Sequence, residues 1–167
     1  KSIKFSNKNI NQFEKLLLKA IKKDGEILKS LGSKFINNKK VILLAAQTNG
    51  EIFKYINKSL RNDKQIAFKC LLKDPQMLRL ANKKFKANKN LILKLIKKDF
   101  KCFKYIDKKL KTDVQVLKAV ILNTSFGSGD EYKIPAKIMS KLGNRNLIIF
   151  AIKKSEWWFH DLSNKYK

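Results

Sequence analysis

The sequence predicts an all-α fold, an α-solenoid of about six stacked helix-turn-helix repeats of 25 residues. Three observations predict it. Written in rows of 25 from Glu14, residues 14–38, 39–63, 64–88 and 89–113 align without a gap. Apolar residues recur in every row at i, i+1, i+4 and i+5, which is helical spacing, and no strand-like alternation competes with it. Each row is also too short to bury both of its apolar faces alone, so neighbouring rows must stack.

Positions within a row are numbered here as slots one to 25, Glu14 being slot one. Asn11 and Glu14 form a capping box for the first helix. Slots three, four, seven and eight give the long helix of each repeat: Leu16, Leu17, Ala20, Ile21; Val41, Ile42, Ala45, Ala46; Ile66, Ala67, Cys70, Leu71; Leu91, Ile92, Leu95, Ile96. Asp24-Gly25, Asn49-Gly50, Asp74-Pro75 and Asp99-Phe100 then read as a helix stop followed by an N-cap, with Pro75 in a first helical position. A second, shorter helix follows on slots fourteen, fifteen and eighteen, as in Ile52, Phe53 and Ile56. Phe35, Leu60, Phe85 and Leu110 are single apolar anchors beyond it. Asn38, Asp63, Asn88 and Asp113 stand ready to cap the next long helix, so five of the 13 acids are assigned to caps.

Past residue 113 the register loosens. Val116, Leu117, Val120 and Ile121 give another long helix, and an insertion at 123–134 interrupts the row. A short helix is expected from Pro135 to Leu142, stopped by Gly143, and Asn144 caps a last long helix with Leu147, Ile148, Ala151 and Ile152. Trp158, Phe159 and Leu162 occupy second-helix slots there, and Tyr166 the anchor. The expected organisation is one helical-repeat domain over 1–167, with repeats 14–38, 39–63, 64–88, 89–113, 114–144 and 145–167.

Charge is the dominant feature of the composition. Among 167 residues, 39 Lys plus Arg face 13 Asp plus Glu, a formal charge of +26. With 44% hydrophobic residues the chain is no disordered basic tail. No apolar run of about 18 residues offers a membrane span, and Lys1 to Phe5 carry no apolar leader. Two cysteines, Cys70 and Cys102, in apolar slots make no disulfide framework and read as inert packing residues, so an intracellular, reducing location is expected. His160 is the single histidine, and its pairing with Glu156 four residues earlier is too little to hold a metal. The glycines of Phe126-Gly127-Ser128-Gly129 lack the Lys-Ser/Thr and the preceding strand of a phosphate loop. Neither metal nor cofactor is expected.

The row pattern resembles the repeats of the family described as domain of unknown function 4116. Its clearest copy is Val41, Ala45, Asn49-Gly50, Phe53, Tyr55, Leu60, Arg61 and Asp63, and a second is Phe103, Tyr105, Ile106, Leu110 and Asp113. Ser30 and Leu80 replace the Tyr in the first and third rows, and the insertion departs altogether. The resemblance spans roughly 14–122 and 145–167; it implies a helical repeat fold and brings no established activity.

Basic residues fall in register too. Slot ten holds Lys23, Lys73, Lys98 and, in the last row, Lys154; slot sixteen holds Lys29, Lys54, Arg79 and Lys104; slots twenty and twenty-one hold Lys34, Lys58, Lys83, Lys84, Lys108 and Lys109. Stacked repeats would turn them into ladders with steps of about 8–10 Å. Solvated faces and complementation of helix dipoles account for part of the excess lysine. They do not account for the scarcity of acids, because self-repulsion works against the fold. A polyanion accounts for both. DNA or RNA bound through its phosphates without reading sequence is the first expectation, since three Arg (Arg61, Arg79, Arg145) offer few forks to guanine. The alternative is a protein-protein interaction module that docks on an acidic partner or serves as one domain of a larger protein. Tyr55 and Tyr105, flanked by lysines, read either as stacking platforms or as half-buried residues with a wet hydroxyl; Trp157 reads as a core rim or a stacking residue. The enzymatic alternative resembles the helical-repeat DNA glycosylases, with Glu156 or Asp161 as carboxylate and Trp157 as wedge.

Overall fold

The computed structural model of the protein describes residues 7–31, 33–124, 133–155 and 158. Among them every regular element is helical. The first row holds α1 (Asn7–Lys23), a 3-10 helix at Gly25–Ser30 and the one-turn helix α2 (Ser33–Ile36). The second holds α3 (Lys39–Ala45), a 3-10 helix at Gly50–Lys54 and α4 (Lys58–Arg61). The third holds α5 (Lys64–Lys73), a 3-10 helix at Pro75–Leu80 and α6 (Lys83–Lys86), and the fourth α7 (Lys89–Lys98), a 3-10 helix at Phe100–Tyr105 and α8 (Lys108–Lys111). Then follow α9 (Val114–Asn123), α10 (Lys133–Leu142) and α11 (Arg145–Lys154). This is the all-α repeat fold that the spacing predicts.

Two features of the first four rows differ from expectation. The second helix is a 3-10 helix, and the anchor sits on a separate one-turn α-helix. Buried residues explain the first point: slots twelve, fifteen and eighteen are buried together as Gly50, Phe53 and Ile56, as Pro75, Leu78 and Ala81, and as Phe100, Phe103 and Ile106. A step of three residues keeps them on one line only when the helix turns every three residues. The second point follows from a cap at slot nineteen. Asn57 Oδ1 accepts the Leu60 N–H (2.9 Å), Asn82 Oδ1 the Lys84 N–H (3.2 Å) and Asp107 Oδ1 the Lys109 N–H (3.0 Å). Each starts a new helix there.

The predicted caps at the row junctions are in place, but the capping box of Asn11 and Glu14 is not: α1 already begins at Asn7, so Asn11 lies inside the helix rather than at its start. Asp24, Asn49, Asp74 and Asp99 each accept the backbone N–H two residues on, at 2.8–3.0 Å. Asn38, Asp63, Asn88, Asp113 and Asn144 cap α3, α5, α7, α9 and α11. Helix α10 begins at Lys133, two residues before Pro135, which the first turn tolerates. It ends at Gly143, whose φ of +61° places it in the left-handed region.

The chain forms two compact units, Lys1–Leu80 and Ala81–Lys167. In the first, α3 lies between α1 and α5, and the 3-10 helix at Gly50–Lys54 packs on α5 and on the 3-10 helix at Pro75–Leu80. Its core is built from Ile21, Leu28, Ile42, Ile52, Phe53, Ile66, Leu71 and Leu78. In the second, α9 lies between α7 and α11, with α10 against both α9 and α11. Leu91, Ile92, Leu95, Ile96, Val116, Leu117, Val120 and Met139 are buried there, as is Trp158. Leu16 departs from its slot: the residues equivalent to it, Val41, Ile66, Leu91 and Val116, are buried, whereas Leu16 is 58% exposed. An interior long helix is covered on two sides, and α1 packs on α3 and on its own 3-10 helix.

Gly25 and Gly50 occupy slot twelve where it meets the end of the next long helix. The Gly25 N–H donates to Thr48 Oγ1 at 2.8 Å. A methyl group on Gly50 would lie 2.6 Å from the Cys70 carbonyl oxygen and 2.7 Å from the Asp74 backbone nitrogen. Backbone cannot yield as a side chain does, so Gly50→Ala is expected to cost about 1–3 kcal/mol by overpacking. Urea denaturation followed by circular dichroism checks it; Gly143→Asn, with open space around the glycine, should cost less than half as much.

Candidate functional site

Acidic side chains come first, because their placement decides where positive charge is left over. Every acid whose side chain is described has a structural task. Asp24, Asp63, Asp74, Asp99, Asp107 and Asp113 are N-caps. Glu26 and Glu51 sit in the first turns of their 3-10 helices and pair with Lys29 (2.7 Å) and Lys54 (3.0 Å). The Lys29 ammonium, by hydrogen bond and by charge, holds the Glu26 carboxyl below its ordinary range, and Glu26 in turn raises Lys29. Asn49 Nδ2 donates to the same carboxylate at 3.2 Å.

Two aspartates do double duty. Asp63 Oδ2 takes the Lys39 ammonium at 2.6 Å, and Asp113 Oδ2 the Lys89 ammonium at 2.6 Å, while their Oδ1 atoms cap α5 and α9. Each pair ties the N-terminus of one long helix to that of the next. Asp63 is held below the usual carboxylate range chiefly by the Lys39 hydrogen bond. For Asp113, burial pushes upward, but the Lys89 hydrogen bond and the Val116 N–H together outweigh it and the net shift is downward.

The predicted basic ladders resolve into different environments. Slot-ten residues Lys23, Lys73, Lys98 and Lys154 are exposed in the last turns of α1, α5, α7 and α11, where an ammonium also complements the helix dipole. Slot sixteen is not uniform. Lys29 and Lys54 are ion-paired with slot-thirteen glutamates, whereas Arg79 and Lys104 have Gln76 and Lys101 at that slot. Lys58, Lys83 and Lys108 are exposed on the one-turn helices, with Lys84 and Lys109 beside the latter two. Trp157 and the alternative carboxylates Glu156 and Asp161 lie outside the described residues, as do 125–132 of the insertion.

Slot twenty-three carries a cation with a local task that the sequence alone does not reveal. Arg61 Nε donates to the Ile56 carbonyl at 3.0 Å, and the Lys111 ammonium donates to the Lys104 carbonyl at 2.9 Å. Lys111 thus binds the last turn of the 3-10 helix at Phe100–Tyr105, and Arg61 the carbonyl two residues past the 3-10 helix at Gly50–Lys54, where carbonyls lack helical partners. Burial, then the charge of Lys108, pulls Lys111 below the usual lysine range. The tyrosines are each met by a lysine: Lys29 lies 5.4 Å from the centre of the Tyr55 ring, and Lys104 5.0 Å from that of Tyr105. Tyr55 is 44% exposed and Tyr105 half-buried. Cys70 and Cys102 are buried, and burial pushes both thiols up to about 12, far from thiolate reactivity. Among the described residues no helix is long and apolar enough to cross a membrane, and no cluster of three potential metal ligands forms.

The model of the domain of unknown function 4116 family matches residues 14–61, 38–86 and 63–111. The chain belongs to that family. Each match spans two rows and successive matches advance by one, so the domain of unknown function 4116 unit is a pair of these repeats. The closing Arg/Lys-x-Asp that marks its rows then has a physical meaning in this member. The cation at Arg61 or Lys111 holds a carbonyl at or just past the end of one helix, and the aspartate two residues later opens the next. No curated protein and no solved structure matches the chain.

Both paired aspartates bind protons less readily in the folded than in the unfolded chain. The stability they contribute is therefore present at neutral pH and is lost as pH falls from about 4 downward. The double variant Asp63→Asn/Asp113→Asn keeps oxygens for the caps and loses both ion pairs. It is expected to be about 1 kcal/mol less stable than the parent at pH 7, and the difference should narrow progressively as pH falls below about 4. Thermal melts at the two pH values check this.

Proposed function

We propose that the protein is a non-enzymatic helical-repeat scaffold that binds nucleic acid, mainly through backbone phosphates. The observation that carries this reading is the confinement of the described acids to caps and to short-range pairs with lysine. A chain selected only for folding and solubility has no reason to carry 39 basic residues against 13 acids, because a charge of +26 opposes compaction. A phosphate chain supplies the missing counter-charge and releases its own condensed cations on binding. Readout of bases is not part of the proposal. Lysine dominates arginine, and Arg61 spends its Nε–H on a backbone carbonyl rather than on a ligand.

Fluorescence anisotropy with labelled single-stranded DNA, duplex DNA and RNA at several salt concentrations tests the proposal. A slope of log K against log salt of about −4 to −6, corresponding to about five to seven neutralised phosphates, is expected. Poly-Glu should compete far less well than heparin. Equal competition by poly-Glu and nucleic acid would overturn the reading and favour an acidic protein surface as partner.

A further inference from the structure

The basic surface is graded along the chain. Slots thirteen, sixteen, twenty, twenty-one and twenty-three lie on the 3-10 and one-turn helices. They read Glu26, Lys29, Ser33, Lys34, Ile36 in the first row and Glu51, Lys54, Lys58, Ser59, Arg61 in the second. They become Gln76, Arg79, Lys83, Lys84, Lys86 and then Lys101, Lys104, Lys108, Lys109, Lys111. The charges sum to +1, +2, +4 and +5 in succession. Equal slots do not carry equal charge, and the excess gathers in the second unit.

Within that unit the two one-turn helices α6 and α8, each with three lysines in four residues, are held together. The Asp107 N–H donates to the Lys86 carbonyl at 3.0 Å, joining the start of α8 to the end of α6. The Lys111 ammonium bonds the Lys104 carbonyl and fixes α8 against the 3-10 helix before it. Between residues 81 and 111 twelve lysines stand against two acids, Asp99 and Asp107. Both acids are caps, and Lys89 is paired with Asp113 beyond the segment; even if each of the two acids also neutralised one lysine, nine would remain in excess.

Aromatic rings are not offered on this segment. Phe85, Phe100 and Phe103 are buried, and Tyr105 is half-buried with the Lys104 ammonium over its ring. Proteins that hold single strands combine a basic track with exposed rings on which bases stack. A basic face without such rings responds to phosphate charge density alone. A duplex carries about one charge per 1.7 Å of axis, twice that of one of its strands.

Resting on the phosphate-binding reading above, we propose that the ligand is a double-stranded nucleic acid and that it docks on α6, α8 and the 3-10 helix at Phe100–Tyr105. The test compares Lys83→Gln/Lys84→Gln/Lys108→Gln/Lys109→Gln with a control that removes four exposed lysines elsewhere, Lys15→Gln/Lys19→Gln/Lys22→Gln/Lys40→Gln. The probes are a 20-base-pair DNA duplex, a 20-base-pair RNA duplex and a 20-nucleotide single strand. The parent protein should bind duplexes at least tenfold more tightly than the single strand. The first variant should lower the salt slope by about 3–4 and weaken duplex binding about 100-fold, and the control less than threefold. Should the first variant lose its circular dichroism signal, Lys101→Glu, which restores the slot-thirteen acid of the first two rows, is expected to weaken duplex binding about tenfold. Equal losses in variant and control, or a single strand bound as tightly as a duplex, would overturn this proposal while leaving phosphate binding intact. Competition by poly-Glu equal to that by duplex would overturn both.

Discussion

Everything in the repeat depends on short oxygen-bearing side chains capping helices at three places in 25 residues. One-turn and two-turn helices have more unpaired backbone groups than internal bonds and do not persist alone in water. In the second, third and fourth rows slots eleven, nineteen and twenty-five supply Asp or Asn oxygens to the exposed N–H groups, so three short helices share one row without long loops. Arg61 and Lys111 do the matching work at carbonyl ends. Packing then needs only the few apolar residues that each piece can present.

This capping scheme also sorts the charges. Asp is favoured where a helix begins and Lys where it ends, by the direction of the peptide dipoles. Six of the eight acids with described side chains serve the junctions, and the other two, Glu26 and Glu51, are each paired with a lysine three residues on. The surface that a polyanion would meet is therefore a by-product of how the repeat is terminated, strengthened in the third and fourth rows by replacing Glu26 and Glu51 with Gln76 and Lys101. The same framework tolerates either choice, because none of the slot-thirteen side chains, Glu26, Glu51, Gln76 and Lys101, is buried in the core. Charge at that slot is free to follow function.

Much of this was legible in the residues. Ile66, Ala67, Cys70 and Leu71 announce a helix face, and Asp63 and Asp74 announce its ends, because helical spacing and capping are local properties of a few consecutive residues. The period-three line through Phe100, Phe103 and Ile106 was present as well, but slots fourteen and fifteen suggested an α-helix and masked it. Asn57, Asn82 and Asp107 stand in one column of the sequence, but the apolar slots on either side of them read as parts of one continuous second helix and hide the caps. Leu16 differs for another cause: its burial depends on how many neighbours cover α1, which no local pattern records.

For the candidate site the division is sharper. Composition and repeat register by themselves determined that the chain is a helical repeat, that it is strongly basic, and that its lysines recur in columns. Only tertiary structure decided what each column does. Lys29 and Lys54 share a column with Lys104 yet are held by glutamates, Lys39 and Lys89 bridge successive helix ends, and Lys111 closes a backbone carbonyl. Charge is a property of a residue, and sequence reports it fully. Whether that charge is spent inside the protein depends on distances of about 3 Å between groups that are, for Lys39 and Asp63, 24 residues apart.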